Sequence, residues 1–180
     1  MNVLVLPGSL RASAVTTGIA ATALAATGLG ITARLADDLG ALPLFNEDLD
    51  TERPPAPVAA LRERVTEADA LLVVSPSNNG SMSAALKNAI DWLSRPRDRA
   101  PLWGKPVAFL VAAYRADSVE SHVDHVLAAA GARVVRSTGQ ALALRLLGGR
   151  KPADVPEVHD AVNAALIALR DTVAPAREAS

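Results

Sequence analysis

The 180 residues are half hydrophobic but only 3% aromatic, with a net charge of −1, and a chain of this length buries about two-thirds of its unfolded surface as one domain without staples. Cysteine is absent, which excludes disulfides, thiol nucleophiles and ordinary iron–sulfur ligation, so any redox chemistry falls to a bound organic cofactor. The even mixing of Arg with Asp and Glu excludes a basic field for nucleic acid, and no apolar run reaches the length of a membrane span.

Residues 3–6 are an unbroken apolar run, too short for a helix and suited to a strand buried on both faces. Pro7, Gly8 and Ser9 follow, then an alanine-rich helix over residues 14–26 that Gly28 and Gly30 stop. Residues 31–35 alternate and predict a second strand nearer the sheet edge. Residues 37–57 form a long polar connection pinned by Leu39, Leu42, Leu44 and Phe45, of the kind that often borders a site. A helix over 57–67 turns Leu61 and Val65 inward. The apolar run 70–75 predicts a central strand, and a helix over 83–94 buries Leu86, Ile90 and Leu93, with Lys87, Asn88 and Asp91 off that stripe.

Residues 105–112 predict a further strand with Pro106 at its start, followed by a helix over 119–130 closed by Gly131 and a short strand at 134–135. Residues 140–149 read either as an apolar loop with a helical turn or as a contact surface. The last helix is expected over 154–173, leaving 174–180 as a flexible tail to a single domain over 1–173. Residues 1–20 lack the basic start and long apolar segment of a leader, so a cytoplasmic protein is expected.

Alternating strands and helices predict a three-layer α/β sandwich on a five-stranded parallel sheet, most economically in the order 2-1-3-4-5. That winding gathers the loops after strands one, three and four at the switch point, where ligands bind. In the first loop a helix start offers free N–H groups, Ser9, Ser13, Thr16 and Thr17 offer hydroxyls, and Arg11 offers a fixed positive fork. The set suits one phosphate monoester with no need of a metal; the alternative is a tight turn. The loop lacks both the Gly-Lys-Ser/Thr of a triphosphate site and GxGxxG.

The second loop, Pro76, Ser77, Asn78, Asn79 and Gly80, lets a flat heterocycle approach backbone groups closely, or is itself a plain turn. His122 and His125 lack a third metal partner, and Asp37 with Asp38 reads as a helix cap. Trp92 and Trp103 flank a charged loop as core or interface residues. No Ser–His–Asp set assembles, and the nucleophile-elbow pattern is missing. No catalytic side chain and no metal site are expected.

With these residues assembled, the chain resembles the NADPH-dependent FMN reductases of flavodoxin-like fold, which include quinone, azo-dye and chromate reductases. Gly8-Ser9-Leu10-Arg11 matches the family's phosphate-loop opening. Asn79-Gly80-Ser81 running into Leu86-Lys87-Asn88-Ala89-Ile90-Asp91-Trp92 is similar to its most distinctive segment. Leu42-Pro43-Leu44-Phe45-Asn46 and Gly104-Lys105-Pro106-Val107 also fit, so the likeness spans about residues 2–135.

The resemblance implies FMN phosphate against Ser9, Arg11 and the following helix start, with the isoalloxazine along residues 76–80 and Asn79 at its polar edge. It implies NADPH or NADH as hydride donor, a second acceptor such as a quinone, and a homodimer or homotetramer whose interface uses the helix bearing Lys87 and Asp91. Three places differ. Ala14 and Thr16 stand where the family generally has Ser and Asn, and Pro76-Ser77-Asn78-Asn79 stands for its Pro-Glu-Tyr-Asn. Tyr114 and Arg115 replace part of a glycine-rich run and are set either to clamp the flavin or to fill its pocket. In the second case the chain is a flavodoxin-like binding or structural partner with weakened flavin affinity.

Overall fold

The computed structural model describes residues 1–26, 29–36, 38–114, 117–138 and 140–178, with backbone alone at 117–118 and 175–178. Strand β1 (Asn2–Pro7) lies between β2 (Thr32–Leu35) and β3 (Ala70–Pro76), and β3 pairs in turn with β4 (Pro106–Ala113), all parallel. The sheet order is β2-β1-β3-β4-β5, the order expected of a flavodoxin-like sandwich. Continuous burial along β1, β3 and β4 follows from their apolar runs: each strand feeds both faces.

Alternation along β1 divides the core. Val3 and Val5 pack with Ile19 and Ala23 of α1 (Val15–Leu24) and with Val162, Leu166 and Leu169 of α5 (Pro156–Glu178). Leu4 and Leu6 face the other way, against Leu61 and Val65 of α2 (Ala56–Glu67), Leu86 and Ile90 of α3 (Ala84–Leu93), and Val123 and Leu127 of α4 (Asp117–Ala129). Helices on both faces of a parallel sheet are the doubly wound solution.

The fifth sheet position differs from the single short strand expected. It is filled by two pieces in succession, β5 (Arg133–Val134) beside the start of β4 and β6 (Ala141–Ala143) beside its end. Val135 N–H donates to Val107 C=O at 2.8 Å, and Val111 N–H donates to Gln140 C=O at 2.7 Å. The backbone thus leaves the sheet and rejoins it. The ambiguous stretch 140–149 is therefore a strand running into a 3₁₀ turn, Leu144–Leu147, with Gly148 left-handed behind it. Helix α5 also continues to Glu178, past the expected end at 173.

The long connection holds two 3₁₀ turns, Leu39–Ala41 and Glu47–Leu49, and is stapled to α3. Asn88 Oδ1 accepts from Phe45 N–H at 2.8 Å, and its Nδ2 donates to Pro43 C=O at 2.9 Å. The buried Trp92 Nε1 donates to the same carbonyl at 2.9 Å, and its ring meets Phe45 edge-on at 5.0 Å between centroids. Arg62 completes the fastening: it pairs with Asp50 at 2.8 Å, donates to Trp92 C=O and lies over the Trp92 ring. Asn88 is therefore no idle residue off the apolar stripe. Trp103, by contrast, is exposed and lies against Gly131, whose φ of +90° favours glycine.

Replacing Asn88 with alanine removes both bonds to the 43–45 segment. Urea unfolding should register a loss of about 2 kcal/mol, at roughly 1 kcal/mol per neutral hydrogen bond. A midpoint equal to that of the wild type would show that the staple adds nothing.

Candidate functional site

The carboxyl ends of β1, β3 and β4 open on a cleft of about 570 Å³. Its walls come from the first loop (Gly8, Ser9, Leu10, Arg11), the start of α1 (Ala14, Val15, Thr16) and the second loop (Pro76, Ser77, Asn78). Ser83, Ala84 and Ala85 at the start of α3 and the residues Ala112 and Leu144 close it. This is the switch point the winding predicts.

The two principal loops touch because Gly8 has no side chain. A Cβ there would lie 2.7 Å from Pro76 Cδ and 2.9 Å from Val74 O, distances no real side chain tolerates. Its N–H donates to Val74 C=O at 2.8 Å, so the β1–β3 pairing carries directly into the loop. Beyond it, the Arg11 carbonyl accepts from Ala14 N–H at 3.0 Å and from the Thr17 hydroxyl at 2.9 Å. Arg11 N–H in turn donates to Ser9 Oγ at 3.3 Å. That leaves the Ser9 hydroxyl proton available to a ligand. The Arg11 side chain is exposed at the cleft wall.

The N-cap of helix α1 is Ala14, which offers no capping side chain. The N–H groups of its first turn therefore meet no competing side-chain acceptor at the cap and are open to an anion. Thr16, in that turn, is 3% exposed and lines the cleft, yet its Oγ1 is buried without a hydrogen-bond partner. A threonine in a helix has two χ1 wells, and exchange between them swaps hydroxyl for methyl on the wall. An oxyanion brought to this wall would satisfy a group that otherwise carries a desolvation cost of about 1–3 kcal/mol. Open N–H groups, an orphaned hydroxyl, the Ser9 proton and the Arg11 cation together fit a phosphate monoester.

The remaining expected site residues separate into two groups. Ser13 is exposed and Thr17 half-buried, and neither lines the cleft; the Thr17 hydroxyl is engaged with Arg11 C=O inside the loop. In the second loop Asn78 and Ser81 exchange backbone bonds in both directions, at 2.8 and 3.0 Å. Asn79 and Gly80 form the two-residue turn between them, with φ of +52° and +78°. Both are exposed at the tip, while Pro76, Ser77 and Asn78 line the cleft.

Tyr114 is 79% exposed and is absent from the cleft walls, so it does not fill the pocket. Arg115 and Asp37 lie outside the described residues. Asp38 pairs with Arg64 at 3.0 Å. Among the described residues no group of three or more His, Cys, Asp or Glu is placed to hold a metal ion, and no helix is long and apolar enough to cross a membrane. Lys105 sits at the opposite, amino-terminal end of β4, where burial pushes its ammonium below the usual lysine range against the opposing pull of Asp69. Ala112 opens the third of the loops expected at the switch point, whereas sequence reasoning missed Ser83, Ala84, Ala85 and Leu144 as cleft residues. Ser83 alone carried a signal, as a serine three places before the apolar residue Leu86 at a helix start.

Comparison with known proteins follows the same lines. A model of the NADPH-dependent FMN reductase family matches residues 1–143. The chain is 41% identical over 110 residues to an NAD(P)H-dependent FMN reductase of Pseudomonas aeruginosa, covering 61% of this chain and 58% of the relative. It is 39% identical over 107 residues to a quinone reductase of Pseudomonas putida, covering 59% and 57%. The alignments thus span well under two-thirds of these curated relatives. Among solved structures, a flavoenzyme NAD(P)H:(acceptor) oxidoreductase from Paracoccus denitrificans aligns over 91% of this chain and 98% of its own, with a TM-score of 0.68 at 23% identity, a likeness of fold. With the family model spanning most of the chain, from β1 through β6, this protein belongs to the NADPH-dependent FMN reductase family.

Proposed function

We propose that this protein is an FMN-dependent NAD(P)H oxidoreductase that passes electrons to a small acceptor of quinone type. The observation that carries the reading is the unpartnered Thr16 hydroxyl, buried behind a cleft wall that also carries Arg11 and an uncapped helix start and brought to that wall by a χ1 change. A flavin phosphate supplies the acceptor oxygens these groups lack. Relatives described as an NAD(P)H-dependent FMN reductase, a 2-hydroxy-1,4-benzoquinone reductase and quinone reductases support the same chemistry.

Ser9, Arg11 and Thr16 hold the phosphate end, and Thr17 fixes the Arg11 backbone beneath it. Ser13, exposed beside the first loop, offers a further hydroxyl. Pro76, Ser77 and Asn78 form the wall along which the ring lies, and Asn79 and Gly80 set the turn that presents them. Tyr114, exposed just beyond the end of β4, stands at the ring's outer edge, open to a nicotinamide or an acceptor. FMN held by these residues would supply the redox chemistry, a hydride transfer from NADPH or NADH and an electron transfer to the acceptor. The chain binds and orients the flavin and limits the access of water. The protein acts as a cytoplasmic homodimer or homotetramer, with α3 and its Lys87–Asp91 pair at the subunit contact.

An absorption spectrum before and after adding FMN tests the reading. The protein should turn yellow and retain the colour through gel filtration, and NADPH or NADH should bleach it under anaerobic conditions, with a quinone restoring it. A colourless protein that fails to retain FMN overturns the proposal and favours a flavin-free binding role.

Thr16→Val separates the ligand's share of this residue from the fold's. Without FMN the variant should be about 1 kcal/mol more stable in urea, because a buried unpartnered hydroxyl is replaced by an isosteric methyl. Its FMN affinity should fall about fivefold, the worth of one hydrogen bond. Equal affinity in fluorescence titration would exclude Thr16 from the cradle.

A further inference from the structure

We propose that Ser83 is a positioning residue that sets the direction of the phosphate loop, an inference that rests on the flavin reading above. Ser83 lies outside the segments expected to hold the ligand, 75 residues along the chain from the loop it grips. Its side chain is buried at the N-cap of α3 and lines the cleft. The hydroxyl has two partners. It donates to Gly8 C=O and accepts from Leu86 N–H at 3.2 Å, so one oxygen joins the first loop to the start of α3.

The consequence follows from peptide geometry. Gly8 is already held on one side, its N–H on Val74 C=O at 2.8 Å and its Cα without room for a Cβ against Pro76. Ser83 fixes the other side by taking the Gly8 carbonyl. The Gly8–Ser9 bond is not among the cis peptides, and in a planar trans peptide the N–H points opposite to the C=O. A carbonyl turned to α3 therefore turns the Ser9 N–H away from α3, toward the side of the sheet on which α1 packs. Thr16 and the free first-turn N–H groups of α1 stand on that side. Without the Ser83 hydroxyl the Gly8–Ser9 peptide is free to rotate, and the Ser9 N–H no longer converges with the other donors. Ser83 touches the phosphate only through this peptide.

The role predicts a selective loss. FMN and riboflavin share the ring and differ at the phosphate, so a residue that acts through the phosphate loop affects one and spares the other. Fluorescence titrations with FMN and riboflavin would compare wild type, Ser83→Ala, Ser83→Gly and Ser83→Thr. Glycine is nearly as good an N-cap as serine and keeps the test open if the alanine variant folds poorly. The Ala and Gly variants should bind FMN about five- to tenfold more weakly, the worth of one oriented donor, with riboflavin affinity within twofold of wild type. Thr, which restores the hydroxyl, should return FMN affinity to within twofold.

Unchanged FMN affinity in the Gly variant overturns the proposal, as does a parallel loss of both flavins, which would mark Ser83 as a helix cap alone. A wild-type chain that takes up neither flavin overturns the flavin reading itself, and this inference with it.

Discussion

Gly8 stands at the tightest point of the cleft, wedged between the Val74 carbonyl and the Pro76 ring, and the site depends on that contact. Parallel pairing of β1 with β3 brings the two strands to the same level, Pro7 opposite Val74. Any residue larger than glycine would then force the two loops apart. With glycine present, the first loop is braced by the second and by Ser83, so its later part is placed by the sheet and not by its own flexible backbone. An anion site made mostly of backbone N–H groups needs such bracing, because donors that must first be ordered lose binding free energy to conformational entropy.

A second constraint reaches the cleft from the other side. Asn88 and Trp92 lie one helical turn apart on α3, and both bond to the Pro43 carbonyl, which brings the 42–46 segment onto the helix. Arg62 ties α2 to the same helix through the Trp92 carbonyl and to the loop through Asp50. The Leu-Lys-Asn-Ala-Ile-Asp-Trp signature thus acts as a fastening for the Leu-Pro-Leu-Phe-Asn loop. In this chain one motif supplies the carbonyl and amide that the other binds. Leu44 remains exposed on that loop, and Leu10, close to Gly40, stays exposed on the cleft wall.

How much of this was legible in the sequence depended on range. The runs at 3–6, 70–75 and 105–112 specified buried strands because burial on both faces needs no partner to be recognised. The stripe Leu86, Ile90, Leu93 likewise specified the buried face of α3. The break between β5 and β6 was not legible, since each piece is only two or three residues long and is defined by its pairing with β4. The bond from Ser83 to Gly8 joins residues far apart in sequence, and nothing local announces it. The Asn79-Gly80 turn was legible as one of two readings. Its left-handed backbone angles make Asn79 and Gly80 the turn itself, and the residues of this loop that line the cleft are Pro76, Ser77 and Asn78.

The departures from the family pattern fall where the geometry provides substitutes. Ala14 leaves α1 without a side-chain cap, but the vacancy also frees the first N–H groups, and Thr16 places a hydroxyl beside them with no other partner. A serine at the cap would accept from one of those N–H groups; alanine leaves them open. The second loop loses an aromatic ring and a carboxylate relative to the family's Pro-Glu-Tyr-Asn, and its remaining small side chains leave Ala112 and Leu144 as parts of the wall. Leu144 lies just past the family match, in the turn that follows β6. The broken fifth strand is what brings it to the cleft: β6 pairs with Val111, Ala112 and Ala113 at the carboxyl end of β4, so the chain that leaves it turns beside the site. The interruption that hid the strand from sequence reading is thereby the reason a residue near position 144 can shape the pocket.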